Sequence, residues 1–455
     1  MAITKKPCDL TITEAASAMA AGELSSLQLV NSCLERIDAF EKEIQAWATV
    51  DRESALGAAN NLDQELRQGK QRGPLHGIPM GIKDIFYTNS LRTQAGYPFW
   101  SDFIPSYNST AVARLKEAGA IILGKTHTTQ FAYVDPGPTR NPWNTAHTPG
   151  GSSSGSGAAV PAGMCLASLG SQTLGSVLRP AAYNGIVGFK PNYGRISTYG
   201  VVPLSWTLDH VGILARSVED AALIFQAIAG YDSRYYQSID EPVPDCLAQL
   251  ENHKAPRLGL VKEYFFDHAD DEMREHTEKV VESLRQAGAD IKEVTLPPSF
   301  ASIQDNSRTI ITVEAASYHE DMYTEHKDQY GPEMAKLIKE GLSVPGARYA
   351  RAIQTRLQQC ADIEPLLNEV DAMLTPGVPG AAPYGLSSTG NPVMQAPWTI
   401  MGVPSIGLPT GLSKNGLPLA IQLAGSRKSE ASLLAVARWC ERALNVHLQP
   451  PMDKK

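Results

Sequence analysis

The sequence predicts an α/β fold in which helices cover a largely parallel sheet. From about residue 75 onward, short apolar runs stand between glycine-rich turns, as expected of buried strands. These runs alternate with longer segments that have helical spacing, and this alternation is typical of strand–helix–strand units around a parallel sheet. With 43% hydrophobic residues, the 455-residue chain also has enough apolar material for a large core.

The chain begins with a segment, residues 10–60, that we expect to be helical. Within residues 25–40 the apolar positions recur at helical spacing, at Leu27, Val30, Leu34 and Ile37. Ser25 or Ser26 precedes this pattern and can cap the start of the helix. We therefore expect an N-terminal helical layer that packs onto the rest of the fold.

Strands and helices then alternate along the chain. Residues 77–86 (GIPMGIKDIF) predict a buried strand, residues 109–120 predict a helix, and residues 120–125 (AIILGK) predict a second strand. The pattern recurs later, in RLGLVKEYF, HTEKVVESLRQAGADIKEV and VDAMLTPG. The alternation therefore extends over most of the chain.

Two regions differ from this alternation. Residues 231–256 are polar and contain prolines, like a surface excursion, and residues 297–360 are rich in charged and helix-forming residues, like a helical insertion or lid. No Gly/Ser-rich or proline-rich linker and no internal repeat divides the chain, so we expect one domain over residues 1–455. Its expected parts are residues 1–65 (N-terminal helical layer), 66–230 (core with the chemistry), 231–360 (excursion and helices) and 361–455 (C-terminal part of the core).

The composition argues against several classes of partner. A formal net charge of −8 and the lack of a Lys/Arg-rich block argue against binding to nucleic acid. No segment approaches about 18 consecutive apolar residues and no signal peptide is seen, so we expect a cytoplasmic protein without membrane contact. The six cysteines are scattered singly and the ten histidines lack ligand spacing, so we expect no metal.

The most unusual local composition lies in residues 148–191. Residues 150–157 are only glycine and serine, which by itself is typical of a flexible linker. The small apolar residues that follow indicate instead a loop embedded beside a core. Three other interpretations match poorly: a phosphate-binding loop lacks its Gly-Lys-Ser/Thr ending, a dinucleotide fingerprint lacks its acidic residue, and the GxSxG elbow is offset by a residue.

These residues and several separate motifs resemble the amidase signature hydrolases. The motifs occur in the family's order: GIPMGIKDIF, PGGSSSGSGAAV, LGSQTLGSVLRPAAYNGIVGFKP, YGRISTYGVVPLSWTLDHVGILARSVEDA, PWTIMGVPSIGLPTG and GLPLAIQLAG. Several motifs in one order are more specific than one short pattern. The resemblance implies the amidase-signature fold, an α/β fold with a large mixed, mostly parallel central sheet covered by helices on both faces.

The resemblance also implies a Ser–Ser–Lys catalytic arrangement. The family's lysine falls on Lys83, its bridging serine, held by a cis peptide bond, on Ser152, and its nucleophile on Ser176. A serine hydroxyl is a weak nucleophile until a base takes its proton, and lysine can be that base if its pKa is lowered from about 10.4. Ser153 is expected to support the loop. Without the resemblance, Lys83 would be interpreted as a solvated lysine paired with Asp84.

An oxyanion hole is implied at the turn before the nucleophile. Its donors are expected to be backbone N–H groups of Thr173, Leu174 and Gly175, with Arg179 bracing the loop. Family members usually carry Gly-Gly-Ser here and an aspartate two positions before the first glycine, whereas this chain has Leu174 and Gln172. Leu174 is expected to narrow the acyl pocket. Gln172 can still form hydrogen bonds, without the negative charge.

The substrate pocket is less readable. By analogy with the family, residues 126–144 form one wall, with Gln130 and Tyr133 as candidate contacts. Residues 391–402, rich in methionine and tryptophan, form either another wall or, more commonly for such residues, part of the core. The apolar content favours a neutral or aromatic substrate.

The implied activity is hydrolysis of the C–N bond of a small or medium-sized amide through an acyl-enzyme, without a cofactor. Two alternatives use the same residues: a carbamate (urethane) or ester hydrolase, and the glutaminase subunit of a tRNA-dependent amidotransferase. Amidotransferase subunits keep the aspartate and glycine that Gln172 and Leu174 replace, so the sequence favours a stand-alone enzyme, with a homodimer as one assembly. An inactive scaffold is disfavoured because all three catalytic residues are present.

Overall fold

An eleven-stranded sheet forms the centre of the computed structural model, within the residues that the model describes, 5–251 and 254–452. Its strands are β1 (Trp47–Val50), β2 (Pro79–Lys83), β3 (Ile121–Thr126), β4 (Ala167–Gln172), β5 (Val187–Lys190), β6 (His210–Ala215), β7 (Arg257–Leu260), β8 (Asp290–Glu293), β9 (Ala372–Pro376), β10 (Ser405–Leu412) and β11 (Pro418–Ala424). Their order across the sheet is β1-β3-β2-β4-β6-β5-β10-β11-β9-β7-β8.

Helices flank the sheet along the whole chain. They are α1 (Ile12–Ala20), α2 (Ser26–Ile44), α3 (Arg52–Arg67), α4 (Thr110–Glu117), α5 (Ser154–Ala159), α6 (Leu178–Asn184), α7 (Val218–Ile228), α8 (Cys246–Leu250), α9 (Asp271–Gln286), α10 (Ile303–Glu325), α11 (Pro332–Leu342), α12 (Gly346–Asn368), α13 (Ala396–Ile400) and α14 (Glu430–Leu444). Within the described ranges, no helix is both long and apolar enough to cross a membrane.

The sheet is mixed, and the segments with the candidate residues Lys83, Ser152 and Ser176 adjoin its parallel part. Strand β2 pairs in parallel with β3 and β4, and β7 pairs in parallel with β8 and β9. The remaining pairings are antiparallel. The predicted α/β class with a large mixed sheet is confirmed, although antiparallel pairings outnumber parallel ones among the described strands. The carboxyl ends of β2, β3 and β4 meet at one edge of the sheet.

The N-terminal region contains three helices, as expected, and one strand that the sequence analysis missed. Ser25 caps α2 by accepting a hydrogen bond from the backbone of Gln28, whose side chain bonds back to Ser25. Strand β1 interrupts the helical stretch and pairs antiparallel with β3. Its residues, Trp-Ala-Thr-Val, include β-branched and aromatic types that favour strands, but four residues are too few to show a period.

The two regions outside the alternation are helical in part. Residues 231–256 include α8, whose Cys246 and Leu250 are buried, so this excursion is anchored to the core; residues 252 and 253 lie outside the described residues. Residues 297–360 contain α10, α11 and most of α12. Their action as a lid and the division of the chain into the expected parts stay predictions.

The apolar interior consists of two clusters of buried side chains. One joins the N-terminal helices to β2, β3, β4 and β6, and the other surrounds Trp398, whose indole stacks on Phe265 with ring centroids 5.5 Å apart. Trp398 and Met394, from residues 391–402, are fully buried. These two side chains therefore belong to the core, the alternative that the sequence analysis left open.

Candidate functional site

Lys83 is the last residue of β2 and is completely buried. Its Nζ donates to Ser152 Oγ at 2.7 Å and to Ser171 Oγ at 2.8 Å. Burial lowers the pKa of Lys83 well below its usual value, the nearby charge of Arg179 lowers it further, and the carboxylate of Asp209 opposes both. The ammonium form is therefore disfavoured, and a neutral amine can accept a proton.

Asp84 does not pair with Lys83. Its carboxylate lies 3.2 Å from Lys125 Nζ, on the neighbouring strand β3, and both side chains are buried. Since successive side chains of a strand point to opposite faces of the sheet, Lys83 and its neighbour Asp84 occupy different surroundings. The interpretation of Lys83 as a solvated lysine paired with Asp84 was wrong.

Ser152 lies in the glycine- and serine-rich loop that precedes α5. The Gly151–Ser152 peptide bond is cis, and the Ser152 side chain is buried. A Cβ on Gly151 would come within 2.7 Å of Thr389 Cγ2, so a larger residue does not fit without movement. Ser153 Oγ donates to the carbonyl of Ser171 at 3.3 Å and accepts from its N–H at 3.3 Å, which ties the loop to β4.

Ser176 lies in the turn between β4 and α6 and is 8% exposed. Lys83, Ser152 and Ser171 meet at the carboxyl ends of β2 and β4, and the turn that bears Ser176 follows β4 directly. The backbone N–H groups of Thr173, Leu174 and Gly175 have no protein acceptor within the described residues. These neighbouring free donors can serve a developing oxyanion.

The side chain of Gln172 holds this turn through three hydrogen bonds. Its oxygen accepts from the N–H groups of Val177 at 2.8 Å and Leu178 at 2.9 Å. Its amide nitrogen donates to Thr399 Oγ1 at 2.9 Å, and Thr399 Oγ1 donates in turn to the carbonyl of Leu174 at 2.6 Å. A carboxylate at position 172 could not make the donor contact. Gln172 thus links both ends of the turn.

Two residues of this site were missed by the sequence analysis. Thr399 lies in residues 391–402, which were assigned only to a wall or the core. Asp209 lies within the TLDH part of one family motif, and it accepts a hydrogen bond from Thr173 Oγ1 at 2.5 Å and from the Ser205 N–H at 3.0 Å. Burial raises the pKa of Asp209 to about 6. The motif match was the only sequence signal for either residue.

Leu174 and Gly175 meet the C-terminal segment. The half-buried Leu174 side chain packs against both apolar clusters. A Cβ on Gly175 would lie 2.7 Å from Gln395 Oε1 and 3.1 Å from Pro392 Cβ, so this side of the turn is already filled. The segment thus reaches the turn through Pro392, Gln395 and Thr399.

Arg179 is buried beside the Ser152 loop. Its Nη2 donates to the carbonyl of Gly151 at 2.7 Å and to Thr389 Oγ1 at 3.1 Å. The hydrogen bond to Gly151 is the contact that the predicted bracing of the Ser152 loop requires. Burial lowers the pKa of Arg179 to about 10, so the guanidinium stays charged at neutral pH.

The two candidate substrate contacts have other partners. Gln130 lines a cavity of about 590 Å³, but its side-chain oxygen accepts from the Gly331 N–H at 2.7 Å and its nitrogen donates to the carbonyl of Gln329 at 3.0 Å. Its amide thus holds the segment before α11. Burial raises the pKa of the half-buried Tyr133, which lies beside Arg308. The structure does not bring either side chain into contact with Lys83, Ser152 or Ser176.

The chain is similar to known proteins over nearly its whole length. A family model described as Amidase matches residues 28–434. A glutamyl-tRNA(Gln) amidotransferase subunit of Chloroflexus aggregans is 37% identical over 478 residues, which cover 97% of this chain and 98% of that protein. The same subunit of Geobacter sp. strain M21 is 36% identical over 480 residues, with 97% and 98% covered. The solved peptide amidase of Stenotrophomonas maltophilia is 29% identical with a TM-score of 0.86, and 98% of this chain and 99% of that chain are covered.

Proposed function

Because this chain belongs to the amidase family, we propose that it hydrolyses the C–N bond of an amide through Ser176, with Ser152 as proton relay and Lys83 as base. The observation that carries the proposal is the buried Lys83 Nζ, 2.7 Å from Ser152 Oγ and with a strongly lowered pKa. Such an amine is the group that a serine hydroxyl needs for activation.

The proposed cycle has two halves. Ser176 Oγ attacks the amide carbonyl while its proton passes through Ser152 to Lys83. The C–N bond then breaks, the proton returns through Ser152 to the leaving nitrogen, and ammonia or an amine departs. Water attacks the resulting ester and loses a proton to the same relay, which reprotonates Ser176 as the acid is released.

The turn before Ser176 supports the tetrahedral intermediates. Free N–H groups of Thr173, Leu174 and Gly175 are available to the oxygen that becomes negative. Removing one donor of such a hole typically lowers kcat by about 10²–10³. Carbamates and esters carry the same carbonyl, so a urethane or ester substrate fits the same machinery.

A second candidate function is the glutaminase subunit of an amidotransferase. It is favoured by the relatives, which are 36–37% identical over 97% of this chain and are named as one of the subunits of glutamyl-tRNA(Gln) amidotransferase. This support is stronger than the sequence argument from Gln172 and Leu174 for a stand-alone enzyme. Both functions share one reaction, because the side chain of glutamine is itself a primary amide.

Labelling by a fluorophosphonate probe tests the shared chemistry. The intact protein is expected to be labelled, and Ser176→Ala is expected to lose the label while keeping its melting temperature. A folded wild-type protein that neither labels nor releases ammonia from any amide would contradict the proposal. Ser413→Ala is a matched control, because this serine lies outside the site and its loss leaves the label in place.

Purification from the source cell and a substrate panel separate the two candidates. Co-purifying subunits and ammonia release from glutamine would support the amidotransferase role. A homo-oligomer that is active on aliphatic or aryl amides, or on carbamates, would support a stand-alone enzyme. We propose a cytoplasmic location for either function, whereas a homodimer belongs to the stand-alone enzyme.

A further inference from the structure

Another cavity, of about 620 Å³, opens beside the first turn of α10. Its wall is more apolar than polar and includes Leu296, Phe300, Ala301 and Val393. No lysine or arginine is among the described residues that line it. Small-molecule sites are usually cavities of roughly 300–1,000 Å³ with mostly apolar walls. The cavity therefore has the size and the surface of a ligand site.

Residues 389–393 lie along the candidate functional site. Thr389 lies against the glycine- and serine-rich loop, since a Cβ on Gly151 would come within 2.7 Å of Thr389 Cγ2. Pro392 lies against the turn between β4 and α6, since a Cβ on Gly175 would lie 3.1 Å from Pro392 Cβ. This short segment therefore borders both elements that carry the candidate serines.

The same segment also forms one side of the cavity, through Asn391 and Val393. Tyr264 holds it there, because its hydroxyl donates to the carbonyl of Val393 at 3.3 Å and accepts from the side-chain amide of Gln304 on α10. Tyr264 itself lines the cavity and has a φ of 67°, which an aromatic residue rarely adopts. Such backbone strain persists only where surrounding contacts impose it, and it is concentrated at functional sites. The segment between the cavity and the turn is thus held in place.

The charges at the rim of the cavity are negative. Glu263 and Asp267 line the cavity and are exposed, and the ring of His268 donates through Nδ1 to the carbonyl of Tyr264 at 2.7 Å. The two acidic side chains would repel a carboxylate, whereas a neutral aromatic or alkyl group would cover the apolar wall and remove it from water. Salt screens exposed charges, so the apolar wall contributes more than the rim. The cavity therefore favours an uncharged apolar group.

We propose that this cavity binds an aromatic or alkyl group of the substrate while the amide carbonyl lies at Ser176. The substrate class is then an amide that carries an uncharged apolar group at a distance of several carbon atoms from its carbonyl. The inference rests on the proposed amide hydrolysis and narrows its substrate. It belongs to the stand-alone enzyme, because glutamine carries no such group. Binding in the cavity would hold the carbonyl beside the free N–H groups of the turn, and such positioning accelerates the reaction.

The test compares amides with and without a phenyl group. Butanamide and its ω-phenyl derivative carry the difference on the acyl side, and N-butylacetamide and its ω-phenyl derivative carry it on the amine side. We expect wild type to hydrolyse the phenyl compound of one pair with a kcat/KM about 10- to 100-fold higher, the range for burial of one aromatic group. Equal values of kcat/KM within both pairs overturn the inference.

Ala301→Trp fills the cavity from an exposed position and is expected to bring this ratio close to one, mainly through KM. Ala287→Trp is the matched control, because it makes the same change at an exposed alanine that follows α9 and does not line the cavity, so the ratio is expected to survive. If Ala301→Trp lowers the turnover of both amides equally and leaves their ratio unchanged, the cavity does not bind the substrate and the inference is wrong.

The acidic rim gives a second test, made at low salt. A carboxylate in the para position of the preferred phenyl compound is expected to remove most of the preference, and Asp267→Lys is expected to restore part of it. If wild type hydrolyses the carboxylate and its parent equally well, the assignment of an uncharged group is wrong.

A binding measurement keeps this inference separate from the proposed chemistry. Ser176→Ala cannot form the acyl-enzyme, so calorimetry on this variant measures binding alone. Tighter binding of the phenyl compound than of its parent, lost when Ala301→Trp is added, supports the cavity even if wild type hydrolyses nothing. Equal binding of both overturns the inference even if wild type is an active amidase. Should Ala301→Trp not fold, Ala301→Leu, a smaller change at the same exposed position, is expected to lower the ratio in the same direction.

Discussion

Lys83 shows how one residue combines a structural cost with a function. Its amine is buried, and its hydrogen bonds in the described structure run to Ser152 and Ser171, two neutral hydroxyls. Without a carboxylate in contact, burial lowers the pKa of Lys83 and disfavours its ammonium form. The same burial that costs stability suits Lys83 to its proposed role as the base.

Lys83→Ala is expected to abolish most activity without unfolding the protein. General-base catalysis contributes about 10²–10⁴ in rate, so the loss in kcat lies in that range. Lys83→Met fills the site with an apolar chain and is expected to be as inactive, but at least as stable as wild type in thermal melting. A near-normal kcat in either variant removes Lys83 as the base.

The rate is expected to rise with pH through the lowered pKa of Lys83. Below that pKa the lysine is protonated and cannot accept a proton; above it the amine is neutral and kcat/KM reaches a plateau. Since the unfolded chain keeps its usual lysine pKa, it binds the extra proton between the two values, and stability also rises with pH there. A profile that is flat from acid to alkaline pH contradicts this account.

Asp209→Asn tests the effect of the Asp209 carboxylate on the pKa of Lys83. The Asp209 carboxylate raises the pKa of Lys83, so its removal is expected to move the acid limb of the kcat/KM profile to lower pH. The amide oxygen of asparagine can still accept from Thr173. Thr173→Val breaks that hydrogen bond but keeps the charge, so its acid limb is expected to stay in place; a shift in this variant and none in Asp209→Asn would reverse the assignment.

At the scale of elements, the turn between β4 and α6 is held from outside by α13. Thr399 lies in α13 and bonds both Gln172 and the carbonyl of Leu174. A backbone turn without regular hydrogen bonds needs such contacts to keep its N–H groups in one orientation. The neutral Gln172 suits this arrangement because it both donates and accepts.

Thr399→Val is expected to lower kcat about tenfold or more, because the donors of the proposed oxyanion hole lose their fixed orientation. KM changes little, since the ground state uses these donors less than the intermediate does. Thr399→Ser keeps the hydroxyl and is expected to retain most of kcat. Equal activity of the valine and serine variants would mean that the turn keeps its shape without Thr399.

At the scale of the whole molecule, the C-terminal part of the chain completes a site that begins at β2. Trp398 and Thr399 are neighbours in α13, yet Trp398 belongs to the core and Thr399 reaches the turn between β4 and α6. The cluster around Trp398 thus supports the position of Thr399. We therefore expect loss of packing in this cluster to disturb the geometry of the site.

Trp398→Ala is expected to lower the free energy of unfolding by about 3–5 kcal/mol, the usual cost of emptying a buried aromatic site. Thermal melting measures the loss, and kcat on any accepted amide is expected to fall with it. Tyr236→Ala is the control, because its ring is 80% exposed and its loss changes the melting temperature little. Equal melting temperatures of the two variants would contradict the role of the cluster.

Periodicity predicted much of the element order, and it failed where elements are short. The four-residue β1 has no readable period, and the antiparallel pairings of β4, β5 and β6 depend on how distant strands meet. Gln130 lies on the expected loop and lines a cavity, but its side-chain amide is hydrogen bonded to the segment before α11. Side-chain direction in such loops depends on tertiary contacts that no local pattern encodes.

The sequence by itself determined the fold class, the family and the candidate positions Lys83, Ser152 and Ser176, because these depend on local composition and on motifs in a fixed order. Only the tertiary structure decided the pKa values and the hydrogen bonds of the groups in the site. The lowered pKa of Lys83 and the link from Gln172 through Thr399 to Leu174 arise from burial and from contacts between segments far apart in the chain. Lys83 and Ser152 are 69 residues apart, and Gln172 and Thr399 are 227 residues apart. Desolvation and hydrogen bonding act through space, so their effects appear only when distant segments are packed together.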